Sequence, residues 1–148
     1  RRSAVMNESQ IRYADDTNLP YLIQNDRLVT KEIIKKKISD RHVIVCMRGE
    51  THLGYMRFGF GWDMFPFLNF IIVEKDVRRK GIGRELMEFW EQEMKAKGHK
   101  LVMTSTDVDE EAQHFYRKLG YRDSGGILFP QELFPTSAME LVLIKILK

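Results

Sequence analysis

Apolar and polar residues alternate along the chain in a way that predicts a mixed order of strands and helices. Short runs rich in β-branched and aromatic residues predict strands, whereas apolar residues spaced three to four positions apart predict helices. The predicted strands are residues 10–14, 42–48, 51–60, 65–73 and 100–106, then a short strand at 127–129 and a closing strand at 137–147. Because 65–73 is nearly all apolar, it is expected to be a central strand with both faces covered.

Four helices are predicted between these strands. The first starts at Leu19 with Thr17 or Asn18 as its cap, and the second covers residues 30–39. In the second helix, Ile33, Ile34 and Ile38 are expected on the buried side and Lys35 to Lys37 in water. The third follows Gly83, and its apolar residues recur every four positions, at Leu86, Trp90 and Met94. The fourth is capped by Asp107 or Asp109, has Glu110 and Glu111 in its first turn, and ends at Gly120.

The segment from Val73 to Arg84 joins the apolar strand to the third helix and contains two glycines and three consecutive basic residues. Glycine lets the backbone approach an anion closely, and the first amides of a helix point towards such a ligand. A phosphate-binding turn is one interpretation, and a solvated basic turn is the other. The Gly-Lys-Ser/Thr ending of a P-loop is absent from the segment, and Leu86 stands where a dinucleotide-binding motif needs a third small residue.

Two motifs resemble those of the GNAT superfamily of N-acetyltransferases. The pattern Arg78-x-x-Gly81-x-Gly83 is similar to its acetyl-CoA motif. Downstream, the stretch from Asp109 to Tyr121 resembles the family's Asn-x-x-Ala-x-x-Phe-Tyr helix and following turn. The resemblance is close over residues 67–121 and looser outside them.

The resemblance implies a single α/β domain over residues 1–148. Its mixed, mostly antiparallel sheet of about six to seven strands would splay open at the centre, between strands 65–73 and 100–106, with about four flanking helices. Acetyl-CoA would lie in that split, with backbone groups of Val73 and Lys75 pairing with the pantetheine arm. The pyrophosphate would be held by the turn, chiefly by its backbone amides (Arg78, Arg79, Lys80, Gly81, Ile82, Gly83 and Arg84). Asp109 replaces the family's asparagine, and a plain helix cap is an alternative role for it.

The implied reaction is direct attack of an amine on the acetyl thioester in a ternary complex. Tyr116 matches the family's general acid and would also contact the cofactor, although it could instead be one more aromatic residue on a buried stripe. The strand 65–73 has no carboxylate to act as the general base. Glu74 at the strand end and Asp63 in the preceding loop are the nearest candidates, and either could be an ordinary surface charge.

The composition of the chain limits the classes of protein and of binding partner that are expected. With 43% hydrophobic and 30% charged residues, one cysteine and a net charge of +3, the chain fits a cytoplasmic globular protein without internal disulfides. No membrane or nucleic-acid partner is expected, and the four histidines show no metal-ligand spacing. His52 is expected to be an exposed loop histidine, although it could reach a substrate pocket.

The acceptor amine, from a small molecule, peptide or protein, is left open. Three variable segments are expected to wall its site, residues 23–27, 58–67 and 125–137, and the aromatic 58–67 hairpin could equally form a dimer surface. Two other classes of function stay open. One is a CoA-binding module without catalysis, and the other is a basic nucleic-acid or protein-interaction domain.

Overall fold

The computed structural model describes residues 8–148, so residues 1–7 of the predicted domain lie outside the described range. In this range the helices are α1 (Leu19–Asn25), α2 (Lys31–Ser39), α3 (Ile82–Ala96) and α4 (Ala112–Lys118). The strands are β1 (Gln10–Tyr13), β2 (Val43–Arg48), β3 (Thr51–Gly61), β4 (Phe65–Val73), β5 (Leu101–Asp107), β6 (Arg122–Ile127) and β7 (Glu140–Ile146). Two short 3-10 turns cover Asp16–Asn18 and Lys75–Val77.

The seven strands form one sheet in the order β1-β2-β3-β4-β5-β7-β6. The pairs β1–β2, β2–β3, β5–β7 and β6–β7 are antiparallel, whereas β4 and β5 run parallel. The β4–β5 register covers two residue pairs, Phe67 with Met103 and Leu68 with Thr104. On its other side, β5 pairs with β7 along its whole length. The predicted mixed sheet is confirmed, and its central parallel pair is short.

The described residues divide into two compact units, of which the first comprises residues 8–58 together with 70–90. Its core joins buried residues of the first two helices to buried residues of the strands (Leu22, Ile34, Ile38, Val43, Val45, Tyr55). At the end of α1, Asp26 forms an ion pair with Arg57 of β3, with 2.7 Å between Arg57 Nε and Asp26 Oδ2. Because both side chains are almost fully buried, this pair fixes the C-terminal end of α1 to the sheet.

The second unit comprises residues 59–69 and 91–148. Its buried residues include Met94 of α3, Val102 and Met103 of β5, and Leu141 and Leu143 of β7. Buried Glu91 accepts hydrogen bonds from the Tyr121 hydroxyl and from Lys145 Nζ, each at 2.7 Å. A carboxylate this deeply buried requires such partners.

Two predicted elements in the second unit are wrong. The fourth helix begins later than predicted, at Ala112. The Asp107 carboxylate accepts hydrogen bonds from the Asp109 amide (2.9 Å) and the Ser137 hydroxyl (2.6 Å), and these bonds form a turn that precedes the helix. Neither aspartate caps α4. The strand beside β7 is Arg122–Ile127 and not 127–129. Every residue of β6 is exposed, so it lacks the alternation of buried and exposed positions that marks a strand in a sequence.

Two predictions for α2 also need correction. Ile34 and Ile38 are buried, but Ile33 is 43% exposed. Lys37 is half-buried, and its ammonium donates to the Phe58 carbonyl, so the lysine run is not wholly in water. Burial lowers the pKa of Lys37, and the nearby Arg57 charge lowers it further.

Candidate functional site

The glycine-containing turn leads directly into α3. Arg79 (φ 65°) and Gly81 (φ 86°) both have left-handed backbone conformations. The Gly81 carbonyl accepts the Glu85 amide at 3.0 Å, so Gly81 is the residue from which the helix starts. The amides of the first helical turn, Ile82, Gly83 and Arg84, then have no acceptor within the helix. Such a row of amides next to left-handed residues is a backbone arrangement suited to an anion.

Glycine is needed at position 81 because of the left-handed backbone conformation there, and not because neighbouring atoms leave no room for a side chain. A Cβ atom at this position would meet no atom within 4 Å. A positive φ strains any residue that carries a Cβ. Glycine therefore lets the turn adopt its shape while leaving its open side free for a ligand, which fits the predicted pyrophosphate site.

The side chains of the turn contribute less than its backbone. Arg78 turns back, and its Nε donates to the Val73 carbonyl at 2.9 Å. Ile82 is buried, so only its backbone faces the turn. Arg84 lies 3.8 Å from Glu88 one helical turn later. The three remaining basic residues of the predicted site are exposed (Lys75, Arg79, Lys80).

In the second unit, Tyr116 lies where the pairing between β4 and β5 ends. It is buried on α4 beside Thr104. The Thr104 hydroxyl donates to the Leu68 carbonyl at 3.2 Å, and these two residues are one of the two β4–β5 register pairs. Burial raises the pKa of Tyr116 above its ordinary value. The phenol therefore stays protonated at neutral pH and can donate a proton.

Asp109 lies in the exposed turn before α4, and its amide donates to the Asp107 carboxylate at 2.9 Å. Asp63 lies in the exposed β3–β4 turn, with a left-handed backbone (φ 60°). These positions show the local structure around the two aspartates and do not assign a role to either.

Glu74, the first residue after β4, is held through both its backbone and its side chain. Its amide donates to the Leu53 carbonyl at 2.8 Å, and its carbonyl accepts the Val77 amide at 3.1 Å. Its carboxylate accepts a hydrogen bond from the Tyr21 hydroxyl. Glu74 is thus part of an ordered cluster in the first unit, which is unusual for an ordinary surface charge.

The rest of this cluster was missed by the sequence analysis. His52 is half-buried, contrary to prediction, and its ring stacks on Tyr21 with centroids 3.9 Å apart. Asn18 is buried and contacts His52 through its side chain, so it does not cap α1 with that group. These contacts join residues far apart in sequence, and no local motif identifies them.

A family model for the acetyltransferase (GNAT) domain matches residues 39–123, which is more than half of the chain. The chain belongs to the GNAT acetyltransferase family. This confirms the family predicted from the two motifs and agrees with the predicted acetyl-CoA cofactor. No curated protein matches the sequence significantly.

Solved structures share the fold of this GNAT chain at low identity. Ard1 from Thermoplasma volcanium is 16% identical with a TM-score of 0.80, covering 95% of this chain and 99% of that one. The ribosomal-protein-alanine N-acetyltransferase from Brucella melitensis is 22% identical with a TM-score of 0.77, covering 93% and 99%. A GNAT acetyltransferase from Elizabethkingia anophelis with acetyl-CoA bound is 20% identical with a TM-score of 0.74, covering 95% and 99%.

Two further properties of the GNAT chain apply to residues 8–148. Within this range, no helix combines the length and the apolar character needed to cross a bilayer. The same residues contain no cluster of three or more His, Cys, Asp or Glu side chains placed to hold a metal ion.

Proposed function

We propose that this protein transfers an acetyl group from acetyl-CoA to a primary amine by direct attack in a ternary complex. Family membership supports acetyl transfer in general. The observation that carries the proposal is the buried, protonated Tyr116 beside Thr104, at the end of the short β4–β5 pairing. A buried proton donor is a group suited to assist the departure of a thiol.

The residues that would hold acetyl-CoA are chiefly backbone donors. The amides of Ile82, Gly83 and Arg84 would bind the pyrophosphate, with Arg79 and Gly81 shaping the turn. Their geometry fits an anion, because these amides converge at a helix N-terminus. We assign the pantetheine arm to the backbone of Val73 and Lys75, as the family resemblance implies. When bound, acetyl-CoA supplies an acetyl group on a thiol leaving group.

Tyr116 would donate its phenolic proton to the departing sulfur as the amine forms a C–N bond and the C–S bond breaks. A thiol has a pKa of ~8.5 and a free phenol one of ~10, so the phenol is a weaker acid than the thiol and would act as a donor through proximity. Because burial raises the pKa of Tyr116, the phenol is fully protonated at the start of each cycle. Glu74 would take a proton from the attacking amine.

The first acceptor to test is the α-amine of a peptide. The structural neighbours include, by name, a ribosomal-protein-S18-alanine N-acetyltransferase from Escherichia coli and a NatC complex bound to Gag peptide and CoA. Chemistry supports the same choice, since an α-amine has a pKa near ~8 and is about a tenth neutral at pH 7. A lysine amine, with a pKa of ~10.4, is below about 0.1% neutral at that pH.

The test incubates the purified protein with acetyl-CoA and a mixed-sequence peptide pool that has free N-termini. Released thiol and the mass of the acetylated peptides are measured. The matched control is the same pool with blocked N-termini. We expect acetylation of the free pool alone. Acetyl-CoA binding without transfer to this pool, to lysine peptides or to small amines would contradict the enzyme proposal and favour a CoA-binding module.

A further inference from the structure

We propose that Tyr21 is a positioning residue that orients the Glu74 carboxylate to take a proton from the acceptor amine, and that His52 and Asn18 hold Tyr21 in place. This inference rests on the proposed acetyl transfer. The four residues come from α1, the turn before it, β3 and the end of β4. All of them lie in the first unit.

Glu74 is held both through its backbone and through its carboxylate. Its backbone is fixed by Leu53 on one side and Val77 on the other. The Tyr21 hydroxyl donates to Oε2 of its carboxylate. Within residues 8–148, Oε1 has no hydrogen-bond partner. The contact with Tyr21 therefore occupies one oxygen and leaves the other to accept a proton.

The orientation of the Asn18 side chain is determined by its neighbours. Its Oδ1 receives two donors, Nη1 of Arg12 and the Asp15 amide, both at 3.0 Å. Neither donor can accept a hydrogen bond, so the oxygen of the amide must face them and the nitrogen must face His52. Asn18 Nδ2 lies 2.9 Å from His52 Nε2.

The orientation of Asn18 determines the protonation state of His52. Because Asn18 Nδ2 can only donate, His52 Nε2 must be the unprotonated acceptor, and the ring is neutral with its proton on Nδ1. The pKa of His52 is lowered, first by burial and then by the charge of Arg12, while Glu74 acts in the opposite direction. A neutral ring keeps His52 from forming an ion pair with Glu74 and leaves its face for packing.

Tyr21 is held in place by aromatic packing on two sides. Its ring stacks on His52 with centroids 3.9 Å apart and planes 2° from parallel. The Tyr55 ring packs edge-on against it, with centroids 6.1 Å apart and planes at 89°. Two ring contacts at right angles restrict rotation of Tyr21 and keep its hydroxyl on Glu74.

Tyr21 and Glu74 have different roles in this pair. Burial raises the pKa of Tyr21 above its ordinary value, and the hydrogen bond to Glu74 raises it further. The phenol therefore remains a donor and cannot serve as the base at neutral pH. Of the two groups, the carboxylate is the one able to remove a proton.

The kinetic test compares Tyr21→Phe with Tyr55→Phe, a matched variant that removes a hydroxyl from the ring packed against Tyr21. Acetyl transfer to the α-amine peptides is followed from pH 6.5 to 9.5. Tyr21→Phe is expected to lower kcat roughly tenfold or more near pH 7, because a hydrogen bond to a charged group is lost. The KM for acetyl-CoA stays unchanged, and Tyr55→Phe has a much smaller effect on kcat.

The pH profile distinguishes positioning from a general structural defect. An α-amine with a pKa near ~8 is mostly neutral above about pH 9 and no longer needs a base. The loss in Tyr21→Phe is therefore expected to shrink towards the alkaline end. A constant loss at every pH, or no loss at pH 7, would overturn the proposal.

A second readout needs no acceptor. The 13Cζ resonance of Tyr21, assigned by its disappearance in Tyr21→Phe, is compared in the wild type and in Glu74→Gln. We expect it to shift, because its hydroxyl loses a charged acceptor, and an unchanged resonance would overturn the contact. If the contact is present but the wild type transfers no acetyl group, both proposals fail. If Tyr21→Phe transfers acetyl groups at the wild-type rate, the positioning role of Tyr21 is overturned and the proposed acetyl transfer is not.

Discussion

Replacing Gly54 with alanine should damage the protein at the end of β4. A Cβ atom on Gly54 would lie 2.8 Å from the Ile72 carbonyl oxygen, 3.2 Å from Val73 Cα and 3.5 Å from a Leu86 methyl group. The first two are backbone atoms. They cannot move aside easily, since the next residue, Glu74, is bonded through its amide to the Leu53 carbonyl.

The size of the effect follows from two opposing contributions. Extra volume in a closely packed region costs about 1–3 kcal/mol. Alanine also restricts the unfolded chain, which returns about 0.4–1 kcal/mol. The net loss in the free energy of unfolding is then at most about 2.6 kcal/mol and centres on about 1.3 kcal/mol, which is roughly 3–5 °C in Tm for a protein of this size. The rate of acetyl transfer by the folded variant should also fall, because the displaced backbone includes Val73 and Glu74.

Thermal unfolding followed by circular dichroism measures the stability, and the peptide assay measures the transfer. The matched control is Gly61→Ala on the same strand, where the nearest atom to the new Cβ would be a Phe67 ring carbon at an ordinary 3.6 Å. This variant should be neutral or slightly stabilised. Equal Tm values for Gly54→Ala and Gly61→Ala would refute the packing argument.

Three further changes have defined outcomes. Tyr116→Phe should lower kcat about a hundredfold or more with little change in acetyl-CoA affinity, because only the proton donor is lost; rate assays and calorimetry measure the two. Gly81→Asp should weaken acetyl-CoA binding, because the new carboxylate repels the pyrophosphate and the side chain strains the backbone of the turn. The control is Gly98→Asp, where φ is a similar 94° and a new Cβ would also meet no atom within 4 Å, and this variant should bind acetyl-CoA normally. Asp26→Asn should cost about 3 kcal/mol or more in urea unfolding, because Arg57 keeps a buried charge without its partner.

Each of these predictions can fail on its own. Unchanged turnover in Tyr116→Phe would remove that phenol from the mechanism. Equal acetyl-CoA affinities for Gly81→Asp and Gly98→Asp would place the pyrophosphate elsewhere. A loss below about 1 kcal/mol in Asp26→Asn, the range of an exposed ion pair, would mean that the buried pair contributes little.

Sequence patterns were informative where the physics is local. The strand 65–73 was predicted with its observed bounds, and the spacing of Leu86, Trp90 and Met94 identified the buried face of α3. A run of apolar residues or a helical repeat is written in neighbouring positions, so a sequence shows it directly. The glycine turn was predictable for the same reason.

The parts that were missed depend on contacts between distant residues. Tyr21 and Glu74 are separated by 53 positions, and Asn18 and His52 by 34. The start of α4 was misplaced because the Asp107 carboxylate also bonds Ser137, 30 residues away. Gly54 did carry a signal, since a glycine inside a strand often marks a close approach of another backbone.

The most direct test of the central claim is a calorimetric titration of the purified protein with acetyl-CoA, with CoA and ATP as controls. We expect micromolar binding of acetyl-CoA and CoA and much weaker binding of ATP. No binding of acetyl-CoA or CoA would contradict the central claim and would mean that the turn at Gly81 has only a structural role.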